Sequence, residues 1–388
     1  MASVEEVLRT VEEAFDAGDV EAVRKALVSA GDDVGFQIAR ARLKAADGDP
    51  QAATAQLQML AKKHGKDVGV QAYLGALMVG QHRYKDAKKH LEAAREGGAD
   101  FPAFHHAYGV YNAAIGKFRE AVLHLSQAGQ VWTSSAPTFF YLGVSLMELG
   151  ELGRAEQALR AVTEMQPRYV DAWDALAQVY QRQGKTEEAS RVVDAGLQAN
   201  PGEAALVRTR VGLLARAGRH KEAAATLNTI PESARSAEDL VNLAMLSLET
   251  GDAKSAVAQA RAATERAPKF GRGHYVLGMA LENSGDNAGA ITALEKAVAV
   301  GDPDGSAGTR LGFLLTAEGR LDKAIKALET ALKRSDNAPG TLLNLALAHA
   351  KADRKDKARQ LATTILADER ASASDRDQAT RLQKALQA

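Results

Sequence analysis

The chain has no cysteine, which excludes a disulfide framework and any thiolate chemistry. Aromatic residues make up only 5% of it although 46% is hydrophobic, and much of the apolar share is alanine. Alanine lets backbones approach, so this composition suits close helix-on-helix packing better than a few large cores. Charge of either sign is not in excess: Lys+Arg and Asp+Glu both total 49. A general nucleic-acid binder needs a basic footprint to release counterions, so a zero balance argues against one. No window approaches the ~18 apolar residues that a membrane span requires. The first residues, MASVEEVLRTVEEAFDAG, carry early glutamates and no continuous apolar run, so a secretory signal is not expected. A cytoplasmic protein is the expectation, periplasmic only if a targeting segment has been removed. The high Ala and Leu content with Gly-punctuated turns is common in bacterial helical arrays.

A chain of 388 residues would ordinarily suggest two or three globular domains. Its pattern says otherwise. In the stretch from Ala136 to Arg168, Phe139, Leu142, Gly143 and Leu146 fall at i, i+3, i+4 and i+7, one face of a helix ending near Gly150. Ala155, Leu159 and Val162 mark one face of a second helix, which Pro167 closes. Neither helix can bury its stripe alone, so the hairpin needs neighbours.

Stepping this unit along the chain by 34 residues supplies them. Position 20 of the frame is alanine throughout: Ala53, Ala87, Ala121, Ala155, Ala189, Ala223, Ala256, Ala290, Ala324 and Ala358, with one interval of 33 between Ala223 and Ala256. Position 24 runs from Leu57, Leu91, Leu125 and Leu159 through Val193, Leu227, Ala260, Leu294 and Leu328 to Leu361. Positions 7 and 8 read as pairs such as Leu74-Gly75, Leu142-Gly143, Leu176-Ala177 and Leu311-Gly312. Small residues at positions 8 and 20 let the two helices of a hairpin approach closely. Position 15 is glycine in eight repeats, as a left-handed residue ending a helix would be, with His82 and Asp353 in that slot in two others. Seven of the nine prolines lie between hairpins; Pro50 sits in a turn within one, and Pro231 near the end of a second helix.

These slots resemble the tetratricopeptide repeat, whose 34-residue pattern places Trp, Leu-Gly, Tyr, Ala and Pro in order. The pattern is kept well in Trp173, Leu176-Ala177, Tyr180, Gly184, Ala189 and Pro201. The resemblance implies an all-α fold, a right-handed superhelix of about eleven hairpins. Residues 1–33 would form an atypical first hairpin, 34–370 ten tandem repeats, and 371–388 a closing helix with a polar outer face. Ser374 with Asp377 suggests a capping box at the start of that last helix. Pentatricopeptide repeats have nearly the same period but bind RNA, and the basic excess they need is lacking. A coiled coil would need uninterrupted heptads.

Motifs for catalysis are absent: no Gly-rich phosphate loop, no His-Glu-x-x-His, no Gly-x-Ser-x-Gly. GDPDG at 301–305 is a weak match to a calcium loop, with Phe313 where the twelfth-position Glu belongs. Of the nine histidines, His105 and His274 occupy the Trp slot and His349 the Tyr slot, where packing explains them. No enzyme activity, metal or cofactor is therefore expected.

In proteins with this repeat, the first helices line a concave groove through positions 2, 5, 9, 12 and 13. Carried over residue by residue, this gives Phe140, Val144 and Met147, then Val241, Met245 and Leu248, then Tyr275 and Met279, then Phe313, then Leu343 and Leu347. Asp171, Asp174, Gln178, Arg182, Arg208 and Arg216 make a polar belt between them. Position 9 is expected to pack partly against its neighbour, which would explain Val110 or Leu347. Methionine and phenylalanine on a face that should be solvated suit an amphipathic helix or an extended apolar segment of a partner protein. A Lys/Asn clamp for a C-terminal carboxylate is not expected, because position 5 reads Ala72, His106, Phe140, Asp174 and Arg208. The expectation is a non-enzymatic interaction scaffold. The alternatives are a subunit that polymerises end to end, giving a homo-oligomer, and an RNA-binding array. The end-to-end idea rests on an acidic first segment (Glu5, Glu6, Glu12, Glu13, Asp16, Asp19, Glu21, Asp32 and Asp33) and a basic last one that includes KADRKDKAR at 351–359.

Overall fold

The computed structural model describes residues 3–16, 18–28 and 30–387, and the side chain of Asp16 lies outside what it describes. Among the described residues there are twenty-three α-helices, one short 3-10 turn and no strand. The chain divides into two compact units, residues 1–210 and 211–388.

In the first unit the hairpins are α1 (Val4–Asp16) with α2 (Val20–Leu27), α3 (Val34–Ala46) with α4 (Pro50–Lys63), and α5 (Val68–Gly80) with α6 (Tyr84–Arg95). They continue as α7 (Pro102–Ala114) with α8 (Phe118–Val131), α9 (Ala136–Glu148) with α10 (Leu152–Met165), and α11 (Val170–Arg182) with α12 (Thr186–Ala199). Helix α13 (Ala204–Arg216) includes the residues where the units divide. The second unit continues with α14 (His220–Leu227), α15 (Ala237–Glu249), α16 (Ala253–Arg266), α17 (Gly271–Asn283) and α18 (Asn287–Val300). It closes with α19 (Ser306–Ala317), α20 (Leu321–Leu332), α21 (Pro339–Lys351), α22 (Lys355–Ala367) and α23 (Ala373–Gln387). Helix α14 is only eight residues long, and Pro231 lies beyond it, in the loop before the 3-10 turn Glu232–Ala234.

The frame positions have direct structural meaning. Every position-20 alanine from Ala53 to Ala358 is fully buried. At position 8, a Cβ added to Gly75, Gly109, Gly143 or Gly278 would stand 2.6–2.7 Å from the Cγ of the position-24 leucine of the same hairpin. Where position 8 is alanine, position 24 is usually smaller: Ala177 goes with Val193, Ala244 with Ala260 and Ala346 with Ala362. The two positions therefore share one volume, as close-packed interiors require. Ala41 with Leu57 and Val211 with Leu227 are the two repeats that depart from this rule. In the last repeat the slot belongs to Ala362, which is fully buried, and not to Leu361, which is only partly so.

The turn slot is equally regular. The glycines at position 15 have φ between 72° and 90°, and His82 and Asp353 adopt the same left-handed backbone, at 59° and 57°. At position 4, Trp173 Nε1 donates to Pro167 O at 2.8 Å, six residues back. Gln71 Nε2 bonds Gly65 O at 2.9 Å, His105 Nε2 bonds Ala99 O at 2.8 Å and His274 Nε2 bonds Pro268 O at 2.9 Å, each the same six residues back. The shared role is a ring or amide N–H that satisfies an inter-repeat carbonyl, so these two histidines sit as packing residues with their Nε2 protonated.

The last helix starts two residues earlier than its sequence suggested. Ser372 and Asp375 form the reciprocal cap, with Asp375 N donating to Ser372 Oγ and Ser372 N to Asp375 Oδ2, both at 3.1 Å. Ser374 instead accepts from Gln378 Nε2 at 3.2 Å.

Candidate functional site

The first helix of each hairpin carries the positions from which a groove would be built. Burial differs among those positions. None of the ten position-9 residues is buried: Gln178, Gly212 and Phe313 are exposed, and the others, from Arg42 to Leu347, are intermediate. The buried members of the face lie at positions 5 and 12, four of ten residues at the first and three of ten at the second. Thus Met147 at position 12, and Val241 and Leu343 at position 5, are buried. Val110 and Leu347 are among the intermediate ones, so position 9 is partly packed there, while position 13 is the slot exposed in all ten repeats, from Ala46 to Lys351.

In the first unit, the groove face is largely filled by its own side chains. The Arg42 guanidinium lies over the rings of Phe15 at 3.8 Å and Tyr73 at 4.4 Å, and pairs with Glu12 at 2.5 Å. His106 bonds Thr138 Oγ1 through Nδ1 at 2.9 Å, with Trp132 and Tyr141 beside it. Burial, with the Arg42 charge adding to it, pushes the His106 imidazole down to about 4, so it stays neutral at pH 7. Phe140 is half-buried against Tyr169 (5.0 Å between ring centroids) and Tyr141 (5.4 Å), and Val144 is half-buried beside them. Asp174 accepts from Thr209 Oγ1 and, at 2.7 Å, from Gln178 Nε2, so these two predicted polar residues hold each other. Arg182 caps the preceding first helix through Met147 O at 3.0 Å and pairs with Glu148 at 2.6 Å. Arg208 is exposed.

In the second unit the groove is open. Met245 is half-buried in a cluster with Leu240, Val241, Ala244 and Val276, while Leu248 and Met279 are also intermediate. Further along, two cavities adjoin. One, of about 690 Å³, lies between α17, α19 and α21 and is lined by Tyr275, Glu282, Arg310, Phe313 and Asn344 among others. The other, of about 420 Å³, lies between α19, α21 and α23 and is lined by Phe313, Leu347, Leu382 and Leu386 among others. Phe313 and Asn344 border both, and the Phe313 side chain is 50% exposed between them. A half-exposed phenylalanine on a loop-free helix face is costly to leave in water.

Tyr275 and Phe313 are the predicted site residues that this region brings together. Glu282, Thr309, Arg310 and Asn344 line the cavity as well and are not among the residues the sequence singles out. Glu282 and Thr309 do occupy positions 12 and 5 of the frame, so the frame itself would have found them. Arg310 Nε donates to Glu282 Oε2 at 2.6 Å across the gap between two first helices, and Thr309 and Thr341 share a hydroxyl contact of 2.9 Å across the next. Asp304 accepts from Ser306 N at 3.0 Å, and this N–H holds its carboxyl below the usual range. Among the described residues no cluster of three or more His, Asp or Glu is placed to hold a metal, and no helix is long and apolar enough to cross a membrane.

Comparison with known families decides what this architecture is. Tetratricopeptide-repeat models match residues 146–210, 180–245 and 315–386, and a second such model matches 241–306. Together they cover more than half of the chain. The chain belongs to the tetratricopeptide-repeat family. Among solved structures, this repeat protein is similar to a chain of the APC/C hetero-tetramer Cut9–Hcn1, at 13% identity over all of this chain and 97% of that one, with a TM-score of 0.47. Yeast Tom70 is similar at 13% identity over 98% and 95% of the two chains, TM-score 0.49. A tetratricopeptide repeat protein from Parabacteroides merdae is similar at 17% identity over 64% and 98%, TM-score 0.48. No curated protein matches the sequence. As a tetratricopeptide-repeat protein, the chain has a fold typical of protein–protein interaction scaffolds.

Proposed function

We propose that this protein is a non-enzymatic scaffold that receives a segment of a partner protein in the groove lined by the first helices of its second unit. The observation that carries this reading is Phe313, half-exposed between two adjoining cavities on a face that no other described residue covers. Repeat arrays hold such a surface in shape because each hairpin is braced by its neighbours, so little ordering cost falls on binding. Tyr275, Met279 and Leu347 extend the same face and support an apolar helix or extended segment as the ligand. In the first unit, the ring stack on Arg42 and the bonds of Asp174 and Gln178 already occupy much of the corresponding face.

A retention experiment on the full chain tests the reading. Proteins held by the wild type are compared with those held by Phe313→Asp, after the two are shown to melt alike. A partner lost only from the variant supports the groove, and an identical set of partners removes it.

A further inference from the structure

We infer that the partner segment carries a cationic side chain close to an apolar one, the cation entering the cavity between α17, α19 and α21 and the apolar group entering the slot against α23. This rests on the groove reading above and adds the chemistry of the ligand.

The first cavity is built for a cation. Its lining bears two carboxylates, Glu282 and Asp304, against one guanidinium, Arg310. The Arg310–Glu282 pair satisfies its own charges at 2.6 Å. Asp304 has no cationic partner among the described residues; its hydrogen bonds are to the backbone and side chain of Ser306 and to Asp302, all of them neutral or anionic neighbours. It borders a second, smaller recess with Tyr275 and Ser306, so it stands on a shared rim. Two rings, Tyr275 and Phe313, line the same space and offer faces that attract a cation. Ser335 also lines it, and its buried hydroxyl has no hydrogen-bond partner, while the Asn344 amide makes no side-chain hydrogen bond among the described residues. A guanidinium or ammonium group needs several such acceptors at once.

The adjoining slot is built for the opposite chemistry. Of its three polar side chains, Asn344 sits on the border with the first cavity, and the other two are already committed: Thr316 Oγ1 donates to Gly312 O at 2.7 Å, and Lys351 Nζ reaches Thr316 O at 3.3 Å. What remains is Leu347, Ala350, Leu382, Ala385 and Leu386. The Lys351 charge repels a second cation from this end, which fixes the direction in which the segment lies. An acidic segment would place its charge against Asp304 and Glu282.

The test is selection of a displayed library of random twelve-residue peptides on the full chain, followed by binding of the enriched peptides to wild type, Asp304→Asn and Phe313→Asp. Asp304→Asn keeps an acceptor for the Ser306 N–H and removes only the charge. The expected peptides have Lys or Arg within a few residues of Leu, Ile or Phe. They bind Asp304→Asn about fivefold more weakly, as loss of one exposed charge contact implies, weaken further with added salt, and fail to bind Phe313→Asp. Peptides that need Phe313 but show no basic preference and bind Asp304→Asn equally well overturn the cation assignment and leave the groove standing. Peptides that bind Phe313→Asp as they bind wild type, or no enrichment at all, overturn both. Matching thermal melts of the three proteins exclude loss of fold, and Phe313→Ser replaces Phe313→Asp if its melt differs.

Discussion

Gly312 and Leu328 occupy one volume: a Cβ built on Gly312 would stand 2.3 Å from Leu328 Cγ, and the leucine is fully buried. Two effects oppose each other when Gly312 becomes alanine. Helix propensity favours alanine by about 1 kcal/mol, whereas forcing a methyl into a filled core costs about 1–3 kcal/mol. The branched body of Leu328 cannot rotate out of the way, so overpacking wins. Gly312→Ala is expected to lower stability by about 1 kcal/mol, and adding Leu328→Val should recover most of it, since the chain already uses Ala177 with Val193. Gly212→Ala is the contrast, because nothing lies within 4 Å of that position; it should gain about 0.5–1 kcal/mol. Denaturant midpoints of the wild type and the three variants decide this. A double variant no more stable than Gly312→Ala alone refutes the shared volume.

The left-handed slot offers a second measurement. Asp353 holds φ at 57° where eight repeats use glycine. Asp353→Gly removes a steric cost of about 1 kcal/mol, offset in part by the entropy glycine brings to the unfolded chain. A small rise in the unfolding midpoint is expected, and Gly150→Ala should lower it. Equal and opposite results would show that the turn does not govern these sites.

Stability should fall in mild acid. His106 titrates near 4 in the fold and near 6.5 when unfolded. A base whose folded pKa is depressed leaves the unfolded state binding more protons between those values. Its contribution is therefore complete above about pH 6.5 and lost as pH falls toward 4. The ring keeps partial solvent contact, so the loss is about 2 kcal/mol, below what the whole shift implies. His90, His124 and His349 are also lowered by burial and act in the same direction. Melting temperatures from pH 7 to 4.5 should fall less steeply in His106→Gln than in wild type. Parallel curves would remove His106 from the account.

The start of α23 can be tested without touching any core residue. Ser372→Ala breaks the reciprocal cap with Asp375 and should cost about 1 kcal/mol, seen as faster amide exchange in 373–380. Ser374→Ala should leave exchange there unchanged. The reverse result would place the cap where the sequence pattern first suggested it.

The repeat was legible because each slot answers a local demand. Gly143 must clear Leu159, Gly150 must turn left-handed, and Ala155 must fit between helices, so period and residue type carry the same message. The sequence pattern is ambiguous where the demand is weak: Leu361 and Ala362 both suit position 24, and Ser372 and Ser374 both suit a helix start, because a final hairpin has no following repeat to fix its register. Which groove residues are exposed was not legible for another reason. Whether Met147 or Phe313 meets solvent depends on how the next first helix crosses, a relation between residues 34 apart that no single helical wheel contains. The cavity beside Phe313 is of the same kind, since Tyr275, Arg310 and Asn344 come from three successive first helices.

The ion pairs of the first hairpin bear on how far its charge can be felt. Glu12 is matched by Arg42, Glu13 by Arg9 at 3.9 Å, Glu21 by Arg24 at 3.3 Å and Asp32 by Arg40 at 3.7 Å. Two of those cations come from α3, so the segment that composition marks as an acidic pole is neutralised in part by its neighbour. The field of a close pair is dipolar and decays faster with distance than that of a lone carboxylate. At physiological ionic strength, where screening acts over about 8 Å, these four paired carboxylates act only on a surface pressed against them, and whatever longer reach the segment has falls to Glu5, Glu6, Asp19 and Asp33, for which no ion pair stands among the described residues.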